Sequence, residues 1–246
     1  MRSYWKLTLL EGKLFMREPI AAFFALVFPL MILFIFGSIY GNEPAEIFGG
    51  RGSMDVQVPA YIAMIIGSVA LSIAINVSVY RERGILRRYR ATPLQPQKIL
   101  AANVLVYFWI TLIGAILLIV AAKIFFDLHF EGNWLSVLAG FILCCLSFFA
   151  LGFLLAAVAP TARVAQVVGM ALFYPMLFLS GAGMPREIFP ESLQNFSKFL
   201  PLTYVVDLMK GLWFGGAWRN YLLEVGVLVG LLVVGVLLAS RFFRWE

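Results

Sequence analysis

Residues 99–122 read ILAANVLVYFWITLIGAILLIVAA, an apolar run without a charged side chain, bounded by Lys98 and Lys123. A helix of about 20 residues crosses the roughly 30 Å hydrocarbon core of a bilayer, so the run predicts a transmembrane helix. The whole chain of 246 residues agrees, because 62% of its residues are hydrophobic and 13% are charged. Soluble domains are about 25% charged, and the composition therefore predicts an integral membrane protein.

Five further segments have a similar length and composition. They lie near Ile20–Tyr40, Val58–Tyr80, Leu135–Val158, Val164–Gly183 and Asn220–Ser240. Pro160 and Arg163 lie between two of them, which predicts a tight turn at a wet surface because proline ends a helix. The pattern predicts one all-α integral membrane domain over residues 1–246, with six transmembrane helices.

The basic residues predict the orientation of these helices, because Lys and Arg accumulate in cytoplasmic loops. Six spans place both termini on one side, and 13 of the 19 basic residues fall there. These are Arg2, Lys6, Lys13, Arg17, Arg81, Arg83, Arg87, Arg88, Arg90, Lys98, Arg163, Arg241 and Arg244. We therefore expect a multi-pass protein of the cell membrane with both termini in the cytoplasm, and we interpret the net charge of +6 as topology rather than nucleic-acid binding.

The N-terminal segment predicts an amphipathic helix in the cytoplasmic membrane interface. At about 100° per residue, its four basic residues share one narrow stripe, and apolar residues face away from it. The stripe consists of Arg2, Lys6, Lys13 and Arg17. Charges interrupt the apolar residues too often for a cleaved signal peptide. The helix either anchors the chain to lipid headgroups only or also contacts a cytoplasmic partner.

The loop after the second span, residues 81–98, reads RERGILRRYRATPLQPQK. Arg83, Arg87 and Arg90 recur at spacings of four and three, which places them on one face of a short helix. Pro93 and Pro96 prevent that helix from continuing. A short amphipathic helix between two spans is suited to docking into a groove on another protein; the alternative is a basic loop that only sets topology.

Residues 181–218 are too apolar for an ordinary loop and too rich in Pro and Gly for a span. Pro190 can start a short helix that Pro201 ends, and a second helix is expected around Tyr204–Trp213. We expect a re-entrant hairpin that enters the outer leaflet and returns, which is tolerated only against protein or a water-filled cavity. The hairpin is therefore a candidate outer gate; the alternative is an interfacial cap.

Sequence motifs for catalysis are absent. The chain has no G-x-x-x-x-G-K-[ST] phosphate loop, no H-E-x-x-H and no G-x-S-x-G. The lone His129 is expected to be a solvated residue, and the adjacent Cys144 and Cys145 are expected to act as small apolar side chains. Charges deep within spans are nearly absent, although proton-coupled carriers normally need them. A pump of this composition has to be driven by another protein.

Two weaker features concern helix packing. Asn76 and Asn103 are expected to form hydrogen bonds between helices, and Gly226 and Gly230 form a G-x-x-x-G pattern that favours close packing within the subunit or between subunits. Glu224 lies near the outer end of the last span, where we expect water to reach it.

The chain resembles the permeases of type 2 ATP-binding-cassette exporters, the ABC-2 family, over nearly its whole length. The order of elements matches, and the loop RERGILRRYRATPLQPQKILAAN and the segment FLPLTYVVDLMKGLWFGG look like the two most recognisable stretches of the family. The resemblance implies a dimeric permease, either a homodimer, which we favour, or this chain with a similar one, that pairs with two copies of a cytoplasmic ATPase subunit. ATP and Mg²⁺ would bind to that partner, and this chain would hold no cofactor and catalyse no reaction.

The resemblance also assigns site residues. The coupling helix that contacts the ATPase would consist of Arg81, Glu82, Arg83, Gly84, Ile85, Leu86, Arg87, Arg88 and Arg90. The candidates for the outer gate are Pro201, Tyr204 and Asp207. Family members export drugs, antibiotics, lipids or polysaccharides, and the short outer loops of this chain favour a small amphipathic or lipid-like cargo. The alternative function is a stand-alone ion-coupled carrier or membrane enzyme, which predicts an essential charge within a span.

Overall fold

The computed structural model describes residues 22–85 and 96–242, and the fold in these ranges is almost entirely helical. The helices are α1 (Phe28–Tyr40, preceded by a π-helical segment, Phe23–Val27), α2 (Ser53–Glu82), α3 (Pro96–Phe126), α4 (Trp134–Val158), α5 (Ala162–Leu179), α6 (Glu191–Ser197), α7 (Pro201–Trp213) and α8 (Leu222–Phe242). The predicted all-α fold is confirmed, with one small addition. The strands β1 (Pro44–Ala45) and β2 (Arg51–Gly52) pair antiparallel and join α1 to α2.

Six helices within the described ranges are long and apolar enough to cross a membrane, which confirms the predicted number of spans. They are α1 with its π-helical extension, α2, α3, α4, α5 and α8. The largest difference from the predicted boundaries is at α2, which begins at Ser53 rather than near Val58 and has 30 residues. At 1.5 Å per residue it is about 45 Å long, which is more than the hydrocarbon core requires.

Helix α2 forms the centre of the bundle. Its apolar window is 83% buried, compared with 22% for the first span and 17% for the last. It packs against α1, α3, α4, α5 and α7, while α8 packs mainly on α4. The helices around α2 keep large apolar side chains exposed, such as Ile39, Val167 and Leu237. This distribution suits a bundle whose outer solvent is lipid.

Small residues permit the closest helix contacts. A methyl group at Gly152 of α4 would lie 2.5 Å from the carbonyl oxygen of Ala70 in α2, and one at Gly235 of α8 would lie 3.0 Å from Cβ of Ala150. By contrast, a methyl group at Gly226 or Gly230 would meet no atom of the described chain within 4 Å. Packing within the subunit therefore uses Gly235 rather than the G-x-x-x-G pattern.

Several polar groups inside the bundle are paired across or within helices, whereas Gln57 Oε1 and the Tyr61 hydroxyl of α2 are buried without a partner among the described residues. The Asn76 amide of α2 donates to the Tyr107 hydroxyl of α3 at 3.2 Å, which confirms the hydrogen bond between helices expected of Asn76. The Ser147 hydroxyl of α4 donates to the Leu228 carbonyl of α8 at 2.8 Å. Cys144 and Cys145 are free, buried thiols, as expected for small side chains packed among helices.

The α4–α5 connection is the predicted tight turn. Helix α4 ends at Val158 and α5 begins at Ala162, so only residues 159–161 separate two membrane-crossing helices. The Thr161 hydroxyl accepts from the Val164 amide at 3.2 Å and caps α5, because the first amides of a helix lack partners within it.

Candidate functional site

The two ends of the helix bundle carry different side chains and loops, and we call them the basic end and the hairpin end. The basic end contains residues 81–85 and the α4–α5 turn. The hairpin end contains β1, β2, the α3–α4 connection and residues 180–221. The described residues of the predicted coupling helix lie at the basic end, and the candidates for the outer gate lie at the hairpin end.

At the basic end, Arg81 and Glu82 tie α2 to the α4–α5 turn. The Arg81 guanidinium donates to the carbonyl of Ala156 at 2.9 Å and also to that of Ala159. The Glu82 carboxylate accepts from the Ala162 amide at 2.8 Å. A cation thus meets carbonyls at the C-terminus of α4 and an anion meets the N-terminus of α5, which are the favourable polarities of helix ends. We call these three hydrogen bonds the Arg81–Glu82 clamp.

The helix predicted around Arg81–Arg90 does not run unbroken. Helix α2 ends at Glu82, Arg83 lies in the turn that follows, and Gly84 has φ of +66°, a left-handed conformation that glycine adopts without strain. Arg83 therefore cannot share one continuous helix face with Arg87. Leu86, Arg87, Arg88 and Arg90 lie outside the described residues, as do Arg2, Lys6, Lys13 and Arg17 of the predicted N-terminal helix.

At the hairpin end, α6 and α7 form the two short helices predicted from the sequence. Pro201 does not end the first of them. Helix α6 already ends at Ser197, and Pro201 is the first residue of α7, where its fixed φ and missing amide hydrogen are suited to a helix start. The Tyr204 hydroxyl donates to the Lys198 carbonyl at 2.7 Å, so Tyr204 ties α7 back to the turn that follows α6.

Asp207 forms the main ion pair of the hairpin end. Two nitrogens of Arg186 donate to its two carboxylate oxygens at 3.1 and 3.0 Å, a bidentate geometry that strengthens the pair. One turn later, Lys210 lies 3.9 Å from Glu187. Burial lowers the pKa of the Lys210 ammonium, while the carboxylates of Glu187 and Asp207 act in the opposite direction. The segment before α6 is thereby held against α7 by two charge pairs.

Aromatic rings fix the far end of α7. The fully buried Trp213 donates its indole N–H to the His129 carbonyl at 3.2 Å. Its ring meets that of Phe130 with centroids 4.8 Å apart, and Phe130 in turn stacks on Trp134 at 4.0 Å. A methyl group at Gly132 would lie 2.2 Å from the Leu212 carbonyl oxygen. Helix α7 therefore ends against the α3–α4 connection.

His129 belongs to a small polar cluster at the start of α2. Its side chain is 64% exposed, as expected, but its backbone amide donates to Asp55 at 2.8 Å. The Asn42 amide group donates to the same carboxylate at 3.0 Å, and Asn42 Oδ1 accepts from the amides of Met54 and Asp55. Asn42 therefore acts as the cap of α2 from outside the helix.

Two adjoining cavities open at the hairpin end. The larger has a volume of about 580 Å³ and lies between α7, the start of α8 and the residues near β2. The smaller, of about 440 Å³, lies beside α6. Asp207 and Glu224 line both, so they stand where the two cavities meet. Sequence reasoning missed Arg186 and Lys210 as site residues; charged side chains in so apolar a segment are the signal that could have found them.

The Arg186–Asp207 pair gives a direct test of the hairpin geometry. We expect a double-mutant cycle with Arg186→Ala and Asp207→Ala to yield an interaction free energy of about 1–2 kcal/mol, because both hydrogen bonds involve charged groups. The cycle is measured from the unfolding free energies of the purified chain in mixed micelles. The matched control is Lys210 with Glu187, whose longer contact to a half-exposed carboxylate predicts about 0–1 kcal/mol. Equal interaction energies for the two pairs would contradict the geometry.

Comparison with known proteins adds to this geometry. The ABC-2 type transporter family model matches residues 2–214. Nodulation protein J of Rhizobium leguminosarum bv. viciae is 32% identical over 115 residues, which cover 46% of this chain and 44% of that protein. The ycf38 protein of Cyanophora paradoxa, whose name describes a transport permease, is 27% identical over 215 residues, or 82% of this chain and 71% of that protein. ABC transporter G family member 20 of Dictyostelium discoideum is 24% identical over 209 residues, or 81% of this chain and 28% of that protein. The chain therefore spans less than half the length of nodulation protein J, the first of these relatives.

Proposed function

The chain belongs to the ABC-2 type transporter family, and from this premise we propose that it is the membrane permease subunit of an ATP-binding-cassette exporter. Two copies of a separate cytoplasmic ATPase subunit bind ATP and Mg²⁺ and supply the driving force. The observation that carries the proposal is the family match over residues 2–214, together with six helices that can cross a membrane.

We place the basic end in the cytoplasm, where 13 of the 19 Lys and Arg residues would lie. The loop after α2 then faces the ATPase, and the N-terminal stripe of basic residues lies at the same surface. Both termini are cytoplasmic in this arrangement. The hairpin end faces outward, and α6 and α7 enter the outer leaflet without crossing it.

The Arg81–Glu82 clamp suggests how movement of the loop reaches the membrane. Arg81 and Glu82 are the last residues of α2, and the loop begins immediately after them. Because they hold the α4–α5 turn with three hydrogen bonds, displacement of the loop by the ATPase would move α2, α4 and α5 together. In this role Arg81 and Glu82 are positioning residues, whereas the basic residues further along the loop make the contact.

The cargo we propose is a small amphipathic or lipid-like molecule that leaves at the hairpin end. A cavity of about 580 Å³ falls in the range of small-molecule sites, and the short α3–α4 connection of residues 127–133 favours a small cargo over a polymer. Two copies of the chain form a homodimer that encloses the path in the lipid.

The distribution of charge counts against the alternative of an ion-coupled carrier. In the described helices α1 to α5 and α8, acidic and basic residues lie only in the turns nearest the ends, for example Asp55 and Arg81 in α2. A carrier driven by protons or ions normally has ionisable groups along its path through the membrane.

The test is to purify the tagged chain from its native membrane in mild detergent and to assay the eluate for ATPase activity. We expect a second subunit in a roughly one-to-one ratio, with hydrolysis that the cargo stimulates. A chain that purifies alone and without hydrolysis would overturn the proposal.

The same purification tests the docking loop. We expect the double variant Arg83→Glu and Arg87→Glu to insert normally but to lose the ATPase subunit, because like charges across an interface cost several kcal/mol. The matched control is Arg241→Glu with Arg244→Glu, which changes the same amount of charge on the same proposed side. If the loop variant retains both ATPase binding and transport, the docking assignment is wrong.

A further inference from the structure

Most charged side chains around the two cavities have a partner of opposite charge. Asp207 is paired with Arg186, Glu187 with Lys210, and Arg51 with Glu131 at 3.7 Å. Lys198 donates to the amide oxygen of Asn195 at 2.8 Å. Two carboxylates remain without an ion pair among the described residues, namely Glu191 and Glu224.

These two carboxylates differ in their surroundings. Glu191 is exposed at the first turn of α6, where water solvates it. Glu224 is partly buried in the first turn of α8, and its Oε2 atom is inaccessible to solvent and accepts no hydrogen bond from the described residues. The carboxylate shares one negative charge between its two oxygens, so a cation beside the part of the Glu224 side chain that lines the cavities would offset the cost of the buried oxygen. Among the acidic groups that line the two cavities, Glu224 is therefore the one that a bound cation would stabilise most.

The larger cavity beside Glu224 also has aromatic walls. Phe48, Phe214 and Tyr221 line it. Tyr221 ends the 3₁₀ turn that leads directly into α8, three residues before Glu224. The cavity already holds one cation against a ring, because the Arg51 guanidinium lies 3.9 Å from the centroid of Phe214. Rings combined with a carboxylate are the usual surroundings of bound ammonium groups.

We propose that Glu224, with the rings of Tyr221 and Phe48, forms a binding site for an organic cation that bears a primary or quaternary ammonium group. A metal dication is a poorer occupant. It requires several oxygen ligands, and within the described ranges no group of three or more His, Cys, Asp or Glu side chains could hold one. The apolar part of the ligand would lie in the larger cavity, whose volume of about 580 Å³ accommodates more than the ammonium group.

The binding site itself is inferred from the cavity and its charges. Its role as the last binding site on the export path of a cationic amphiphile rests on the proposed function. The same ammonium chemistry is available from a free amine and from a lipid headgroup such as phosphatidylethanolamine. A binding assay in defined lipid distinguishes these sources and requires no ATPase, so its failure is distinct from failure of the transport proposal.

The experiment measures choline binding to the full-length chain in nanodiscs of phosphatidylglycerol, with the neutral isostere 3,3-dimethyl-1-butanol as the ligand control. We expect choline to bind and the alcohol not to bind. Glu224→Gln should weaken choline binding about tenfold, since it removes the charge that pairs with the ligand. The matched control Glu191→Gln removes an unpaired carboxylate from the same region and should change the affinity less than about twofold.

Further arms keep the result interpretable. Glu224→Asp retains the charge and should retain most of the binding, which separates loss of charge from misfolding. In nanodiscs of phosphatidylethanolamine, apparent choline affinity should fall if the lipid headgroup occupies the site and should stay unchanged if only free amines do. Absence of choline binding to the unmodified chain, equal binding of the neutral alcohol, or equal loss in Glu224→Gln and Glu191→Gln would each overturn the proposal.

Discussion

Arg81→Ala should lower transport roughly tenfold while the ATPase subunit remains bound, a change within the range of coupling free energies of about 1–3 kcal/mol. The side chain holds the carbonyls of Ala156 and Ala159, which belong to the end of α4 and the turn after it rather than to the loop that we propose as the docking site. Its removal would therefore separate movement of the loop from movement of α4 and α5 without removing the docking contact. The measurement is cargo export from reconstituted vesicles together with ATPase activity and subunit ratio.

Two variants calibrate this result. Arg81→Lys keeps the charge but cannot reach two carbonyls with a planar fork, so its transport should be intermediate. Arg163→Ala removes an exposed arginine from the same end of the bundle and should leave export within about twofold of the unmodified chain. If Arg81→Ala exports normally, the clamp is a packing feature with no part in transmission.

Gly152→Ala should destabilise the bundle by about 1–3 kcal/mol, the usual cost of overpacking. The added methyl group would lie 2.5 Å from the Ala70 carbonyl oxygen and 3.2 Å from Cβ of Ile73. Both are atoms of the central helix α2 that cannot move without shifting its backbone. The quantity to measure is the free energy of unfolding of the purified chain in mixed micelles.

Gly226→Ala is the matched control, since it makes the same substitution inside a membrane-crossing helix. Nothing in the described chain lies within 4 Å of the added methyl group, and alanine is the better helix former by about 0.5–1 kcal/mol. We therefore expect no loss of stability from it. Equal destabilisation by the two variants would mean that the contact of α4 with α2 is looser than the structure has it.

Hydropathy was sufficient to predict the spans because each needs about 20 apolar residues in sequence, and residues 99–122 and 135–158 supply them without interruption. The two short helices of the hairpin could also be predicted, because proline and glycine mark their ends locally. The error at Pro201 is of the same local kind, since proline occurs both after one helix and at the start of the next.

Contacts between distant segments could not be predicted in this way. The Arg81 guanidinium meets a carbonyl 75 residues away, and periodicity holds no information about a backbone acceptor in another helix. Sequence reasoning grouped Arg81 with the loop by its charge and by the family resemblance. The same limit applies to Glu224: the expectation that water reaches it fits a side chain that lines two cavities, but its buried Oε2 atom could not be predicted. Glu224 and Asp207 line the same two cavities, and the packing of α7 against α8 brings these distant segments together.

The central position of α2 has a consequence for biosynthesis. Among the described helices, α1 alone precedes α2 during translation, and three of the helices that later cover α2, namely α4, α5 and α7, begin at Trp134 or beyond. Until they are made, a buried polar side chain of α2 such as Gln57 depends on the insertion machinery for shielding from lipid. If the ribosome stalled near residue 130, α2 would therefore remain in the membrane without α4, α5 and α7 packed against it. Membrane quality-control proteases can recognise such a state.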